Sequence, residues 1–163
     1  MEQRLSGPGL ATGADFEALT ELWTLSFEDP EPFVRNFQRV LAEEDRTVVY
    51  REDGAVVSGA YLVETTLHIG DTDYSAYCFT GAATRPEHRR KGYMEQVIRY
   101  CRGLCEERDI DFLVLVPSNN DLYQYFSRFG FRANFYLKTT QLDPEQLAAL
   151  IGKMAGEEDP AEE

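Results

Sequence analysis

Residues 88–94 read HRRKGYM, a histidine and three cations set directly before a glycine and the start of an amphipathic run. The first turn of a helix carries backbone N–H groups with no internal partner, and the helix dipole makes that end positive. Basic side chains are unfavourable there unless an anion neutralises them. Glycine lets a ligand approach the backbone closely. Arg89, Arg90, Lys91 and Gly92 therefore fit a polyphosphate, and a diphosphate in particular. The same residues also fit a solvated basic turn that binds nothing. The spacing does not match G-x-x-x-x-G-K-[ST], which argues against a triphosphate-binding loop.

The cluster is an exception in this chain, whose formal charge is −13. That balance repels nucleic acid at long range and suits a cationic acceptor such as an amine. The tail EEDPAEE reads as a solvated, disordered end. No apolar run is long enough to span a membrane, and the N-terminus has no apolar signal core, so a cytoplasmic domain is expected. Cys78, Cys101 and Cys105 form no C-x-x-C pair, and no His, Cys and carboxylate cluster has metal-ligand spacing. No metal is expected, and the cysteines read as small buried hydrophobes.

The elements that must position the turn follow from periodicity. Residues 14–27 carry a helical stripe of Phe16, Leu19, Leu22, Trp23 and Phe27 with Asp15 as cap, and a second helix presents Phe33, Phe37, Val40 and Leu41. RTVVYRE, then AVVSGAYLVETTLHI after a DG turn, then YSAYCFTGAAT, read as three strands, the last ending in small residues. Met94, Val97, Ile98, Cys101, Leu104 and Cys105 define the clearest helix, ending near Arg108. IDFLVLVP reads as a strand buried on both faces. SNNDLYQYFSRFG is a helix, FRANFYLKTTQL a strand, and DPEQLAALIGKM a last helix capped by Asp143 with Pro144 at its first position. The order predicts a mixed α/β sheet with helices on both faces. It divides the chain into a domain over 1–142, a C-terminal helix over 143–155 packed on or extending it, and an acidic tail over 156–163.

GAATRPEHRRKGYMEQVI resembles the cofactor signature of the GNAT acetyltransferase superfamily, a strand, a short turn with R/Q-x-x-G-x-G/A, then a helix. Arg89 and Gly92 fill its first two positions, and Met94 stands where a second small residue is usual. AT-x-P-x-x-R-x-x-G-Y-M is most similar to the Eis-like branch. FSRFGF resembles the family's lY-x-k-x-GF ending, and the likeness runs over roughly residues 14–140.

The resemblance implies a GNAT-like mixed central sheet, with antiparallel N-terminal strands and a splayed parallel pair ending at Thr84 and Val116. It implies acetyl-CoA as co-substrate. Ala82, Ala83 and Thr84 would pair with its pantetheine arm, and Ser118 and Asn119 would lie on the arm's other side. The amides of Arg90, Lys91, Gly92, Tyr93 and Met94, with the cations, would hold the diphosphate.

Acetyl transfer to an amine needs a deprotonated nitrogen, a polarised carbonyl and, for a better leaving group, an acid at the departing sulfur. The tyrosine that the family's ending places for the last task is Phe126 here. Tyr123, one turn earlier on the same helix face, is the expected substitute, and Tyr125 points about 100° away. Glu64 and His68 are candidate bases, and Glu28, Asp29 and Glu31 lie where the resemblance places the acceptor wall.

The expected activity is acetyl-CoA-dependent N-acetylation of a small-molecule or peptide amine by direct transfer. The alternative is a CoA-binding module without efficient catalysis. The family's usual C-terminal hairpin is shortened. The acceptor side is then left open, closed by a partner chain in a homodimer, or covered by the last helix.

Overall fold

The computed structural model describes residues 6–135 and 143–156. It divides into two units, Met1–Gly130 and Phe131–Glu163.

The first unit is a five-stranded sheet in the order β1-β2-β3-β4-β5. β2 (Thr47–Glu52), β3 (Ala55–Ile69) and β4 (Thr72–Thr84) form the antiparallel centre. Asp53 and Gly54 both take positive φ, 51° and 83°, which a two-residue hairpin turn requires. β1 (Gly7–Leu10) pairs with β2 at one edge, a strand with no sequence signal of its own. Pro8 is tolerated because an edge strand leaves one row of backbone groups unpaired.

β5 (Phe112–Val114) lies parallel to β4 at the other edge, and the pairing stops at Cys78↔Val114. β4 runs on to Thr84 without it, so the two strands part. β5 is half-buried rather than buried on both faces as its apolar run predicts. It is the edge strand among the described residues, and an edge strand has only one covering neighbour.

Helices cover both faces. In β2, Thr47, Val48, Val49 and Tyr50 are all buried. Successive strand residues point to opposite sides. Val49 joins a core with Leu19, Leu22 and Trp23 of α1 (Phe16–Ser26) and Val34 of α2 (Glu31–Leu41). Tyr50 instead meets α3 (Tyr93–Glu107) through Tyr93. The second helix buries Val34 and leaves Phe33, Val40 and Leu41 exposed, so its inner face is rotated from the expected stripe. Asp15 does not cap α1 with its side chain. It accepts instead from the Thr12 amide at 2.7 Å and from Arg51 at 2.5 Å, tying the start of α1 to β2.

α3 buries Val97, Ile98, Cys101, Leu104 and Cys105, as the periodicity predicts. It carries the chain from β4 across to β5, the crossover that parallel pairing requires. α4 (Asn120–Ser127) follows the parting of the strands. Burial pushes all three cysteine thiols up from their ordinary range.

β4 bulges where Gly59↔Ala83 gives way to Tyr61↔Thr80, leaving Gly81 and Ala82 opposite Ala60 alone. Gly81 has φ +59°, and a Cβ there would stand 2.5 Å from the Trp23 ring. The residue is glycine for both reasons. The bulge brings α1 down onto β4 beside the parting strands.

In the second unit, Phe131–Phe135 form no regular element, and the rest of the expected strand lies outside the described residues. α5 (Pro144–Gly156) opens on Asp143, whose carboxylate accepts the Gln146 amide at 2.8 Å while its own amide donates to Gln146 at 3.1 Å. This is a reciprocal cap. The acidic tail also lies outside the described residues. Among those residues no helix is long and apolar enough to cross a membrane.

Candidate active site

A cavity of about 1430 Å³ opens where β4 and β5 part. β4 contributes Ala82, Ala83 and Thr84 to its wall, the turn contributes His88, Arg89, Arg90 and Gly92, and α3 contributes Tyr93 and Met94. Ser118 and Asn119 stand across from them, and Ser26 and Phe27 close the end nearest α1. The structure thus brings together nearly all of the residues that the sequence singles out for a diphosphate-bearing ligand.

Local geometry explains why the turn faces the cavity. Pro86–His88 form one tight helical turn that halts β4. Arg90 and Gly92 then take φ of 63° and 79°. Left-handed residues at a turn aim neighbouring N–H groups to one side and form an anion-binding concavity. Gly92 caps α3, and a Cβ added there would meet nothing within 4 Å, so the space over it is clear for a ligand. Arg89 donates from Nε to the Thr84 carbonyl at 3.0 Å. Arg90 makes no hydrogen bond or ion pair among the described residues, so its guanidinium is available to an anion.

Lys91 is turned aside. It is not in the cavity wall, and its ammonium lies 3.8 Å from Glu52 and 5.8 Å from the centre of the Tyr93 ring. Asn119 is present but occupied in part, because its side-chain oxygen caps α4 by accepting the Leu122 amide at 3.0 Å. Its amide nitrogen is left for a ligand.

Three further arginines line the same cavity: Arg99 and Arg102 on α3 and Arg128 just after α4. Arg99 is paired with Glu95 at 2.7 Å, Arg102 donates to the Phe129 carbonyl at 3.2 Å, and Arg128 stacks over Tyr125 at 4.9 Å. Five arginines around one cavity, in a chain of charge −13, concentrate positive potential at a single place. The i, i+3 spacing of Arg99 and Arg102 was readable as a shared helix face.

The tyrosines of α4 are arranged differently from the expectation. Tyr123 is 47% exposed and is not in the cavity wall, whereas Tyr125 is. Phe126 is 8% exposed and packs edge-on against Phe79 at 6.1 Å. The buried face of α4 is thus set by Phe126. Tyr123 lies one turn nearer the helix start, beyond that packing. Tyr125 rests on Phe126 and Phe129, with ring centres 5.2 and 5.0 Å away. Burial raises the Tyr125 phenol above its ordinary range, against the opposing pull of Arg128, so it stays protonated at neutral pH.

The other candidates are engaged elsewhere. Glu64 pairs with Arg46 at 2.5 Å, and His68 lies 2.5 Å from Asp73 toward the β3–β4 turn. Neither lines the cavity. Asp29 accepts the Trp23 indole N–H at 2.9 Å, and Glu31 pairs with Arg35 at 2.6 Å. Glu28 alone of these three makes neither a side-chain hydrogen bond nor an ion pair among the described residues. No group of three or more His, Cys, Asp or Glu side chains gathers as a metal site among those residues.

The acetyltransferase (GNAT) domain family model matches residues 9–133. A search of curated protein sequences gives no significant match. Among solved structures, the aminoglycoside N-acetyltransferase AAC(6')-Iy in complex with CoA superposes with a TM-score of 0.69 at 14% identity, over 87% of this chain and 99% of that one. A predicted acetyltransferase with acetyl-CoA from Clostridium acetobutylicum gives 0.67 at 16%, over 83% and 96%. An acetyltransferase from Trypanosoma brucei gives 0.62 at 17%, over 83% and 97%. At these identities the likeness is one of fold, and it agrees with the mixed sheet and parting parallel strands described above. The family model spans most of the chain, from β1 to beyond α4, and on that match the chain belongs to the GNAT acetyltransferase family.

Proposed function

We propose that this GNAT-type N-acetyltransferase binds acetyl-CoA in the cavity between β4 and β5 and moves the acetyl group directly to an amine in a ternary complex. One observation carries the reading: the left-handed Arg90 and Gly92, at the start of α3, line a cavity whose other wall includes the edge of β4 left unpaired by β5. The cavity volume, the clear space over Gly92 and the ring of arginines all fit a ligand carrying an anionic diphosphate.

In this reading Arg89, Arg90 and the amides of Lys91 to Met94 hold the diphosphate. Ala82, Ala83 and Thr84 present strand-like backbone to the pantetheine arm, as an added strand would use it. The Asn119 amide reaches the arm from the opposite side. Acetyl-CoA supplies a thioester carbonyl that the acceptor nitrogen attacks, with the sulfur departing. Tyr125, rather than Tyr123, donates the proton in this reading, and its presence in the cavity wall, where Tyr123 is absent, supports the role. A thiol pKa of about 8.5 makes the sulfur a tolerable leaving group even without an acid. Phe27 lines the cavity at the α1 end, and Glu28 follows it in the chain as an anionic group for an acceptor amine. The AT-x-P-x-x-R-x-x-G-Y-M pattern supports placement in the Eis-like branch.

A second reading, a CoA-binding module with little turnover, is favoured by Phe126, buried against Phe79 where an acid is wanted. Calorimetric titration with CoA, followed by mass analysis of products from acetyl-CoA and a panel of small-molecule and peptide amines, separates the two. Binding with turnover supports the first, binding without turnover the second, and no binding removes both.

A further inference from the structure

Glu52 ends β2 on the same face as Tyr50, two residues earlier. Its carboxylate meets three side chains of the turn that opens α3. One oxygen accepts the Tyr93 hydroxyl. The other lies 2.9 Å from His88 Nε2 and 3.8 Å from Lys91 Nζ. Tyr50 completes the hold, stacking on the Tyr93 ring with centres 4.3 Å apart and planes 14° from parallel. The hydroxyl bond to Glu52 raises the Tyr93 phenol to about 12, and the same bond depresses the carboxyl of Glu52.

The held side chains alternate with the rest of the turn's cavity wall, with Arg89 and Arg90 between His88 and Lys91, and Gly92 between Lys91 and Tyr93, and of the three only Lys91 is outside that wall. Arg90 sits in the bracketed stretch at φ 63°. That conformation is costly for a residue with a side chain and persists only where the surroundings impose it. A carboxylate beside an anion site weakens that site by repulsion, so its presence calls for a compensating role. Its partners supply one. Lys91 is drawn out of the cavity wall, and the backbone between the anchors is turned so that amides and arginines face inward.

We infer that Glu52 is a positioning residue. It holds the 88–93 turn in its anion-receiving shape before the ligand arrives, which lowers the ordering cost of binding. The inference rests on the proposed reading of this turn as the diphosphate site.

Two measurements on the full chain test it. In ligand-free hydrogen exchange, peptides spanning 86–95 should exchange faster in Glu52→Gln, while those from the β3–β4 centre stay unchanged. In CoA titration, Glu52→Gln should raise Kd about ten-fold, as expected when the competent turn falls to a minor population. The loss should appear in KM for acetyl-CoA rather than in kcat. Tyr93→Phe, which keeps the ring stack and removes the hydroxyl, should move both readouts the same way by less, and stands in if Glu52→Gln does not fold. Unchanged exchange in both variants, or CoA bound by Glu52→Gln as tightly as by wild type or more tightly, would overturn the clamp. If wild type binds no CoA, the functional reading falls. The exchange result still decides whether Glu52 orders the turn.

Discussion

Arg89 and Thr84 are joined by a 3.0 Å hydrogen bond from guanidinium Nε to backbone carbonyl, so the first arginine of the turn is fastened to the last residue of β4. Arg90 has no such tether. The two arginines therefore meet a ligand differently, one as a fixed edge of the site and the other as a free cation. Replacing both with glutamate should weaken CoA binding by about two orders of magnitude or more, since each charge-assisted contact contributes roughly 1.5–3 kcal/mol. Lys91→Met should cost far less, because the Lys91 side chain faces Glu52 instead of the cavity. Titration calorimetry at two salt concentrations measures both effects, and wild-type affinity should fall as salt rises.

Tyr125→Phe should lower kcat by about ten-fold or more if its hydroxyl serves the departing sulfur. Tyr123→Phe should leave kcat within about two-fold, as for other exposed positions. Steady-state kinetics with saturating acetyl-CoA measures the pair. Equal, small effects in both would mean that the sulfur leaves without help from either phenol.

Gly81→Ala tests the bulge. The added methyl would meet the Trp23 ring at 2.5 Å and the Tyr61 ring at 2.8 Å, on a backbone already at φ +59°. Overpacking and left-handed strain together should destabilise the fold by about 2–4 kcal/mol. Urea unfolding measures it, with an unchanged slope showing that only stability has moved.

Asp15 provides the pH test. Burial alone would raise its pKa, but the Thr12 amide and hydroxyl and the Arg51 guanidinium outweigh burial and leave it depressed below 3.8. A depressed carboxyl contributes stability above its unfolded value and loses it as pH falls through the folded value. Wild-type stability should therefore drop more steeply below about pH 4 than that of Asp15→Asn, as followed by acid-dependent thermal melts. At neutral pH, Asp15→Ala should cost about 1–3 kcal/mol through the lost hydrogen bonds from Thr12 and Arg51.

Local patterns carried much of this architecture. The DG turn fixed the first hairpin, the three-and-four spacing from Met94 to Cys105 located α3, and HRRKG marked the cavity's cationic end. Relationships across the sheet were not legible. Glu52 lies 41 residues before Tyr93, and nothing in either segment announces that they meet. Lys91 looked equivalent to Arg89 and Arg90 in the run, and only tertiary contact shows it turned away. The choice between Tyr123 and Tyr125 depended on how α4 rolls against Phe79, which a helical period cannot give without a neighbour. GPGL has neither alternation nor β-branched residues. It becomes a strand because β2 offers it an edge.

The three cysteines have a practical consequence. Cys101 and Cys105 are buried in α3 and Cys78 is half-covered at the last β4–β5 pair, all with thiols held in the protonated form. A chromogenic disulfide reagent attacks only a thiolate it can reach. In a continuous assay it should register the sulfhydryl liberated from the acyl donor and stay nearly silent toward the native chain. Once the fold is melted, the same colour reaction should rise by three equivalents per chain.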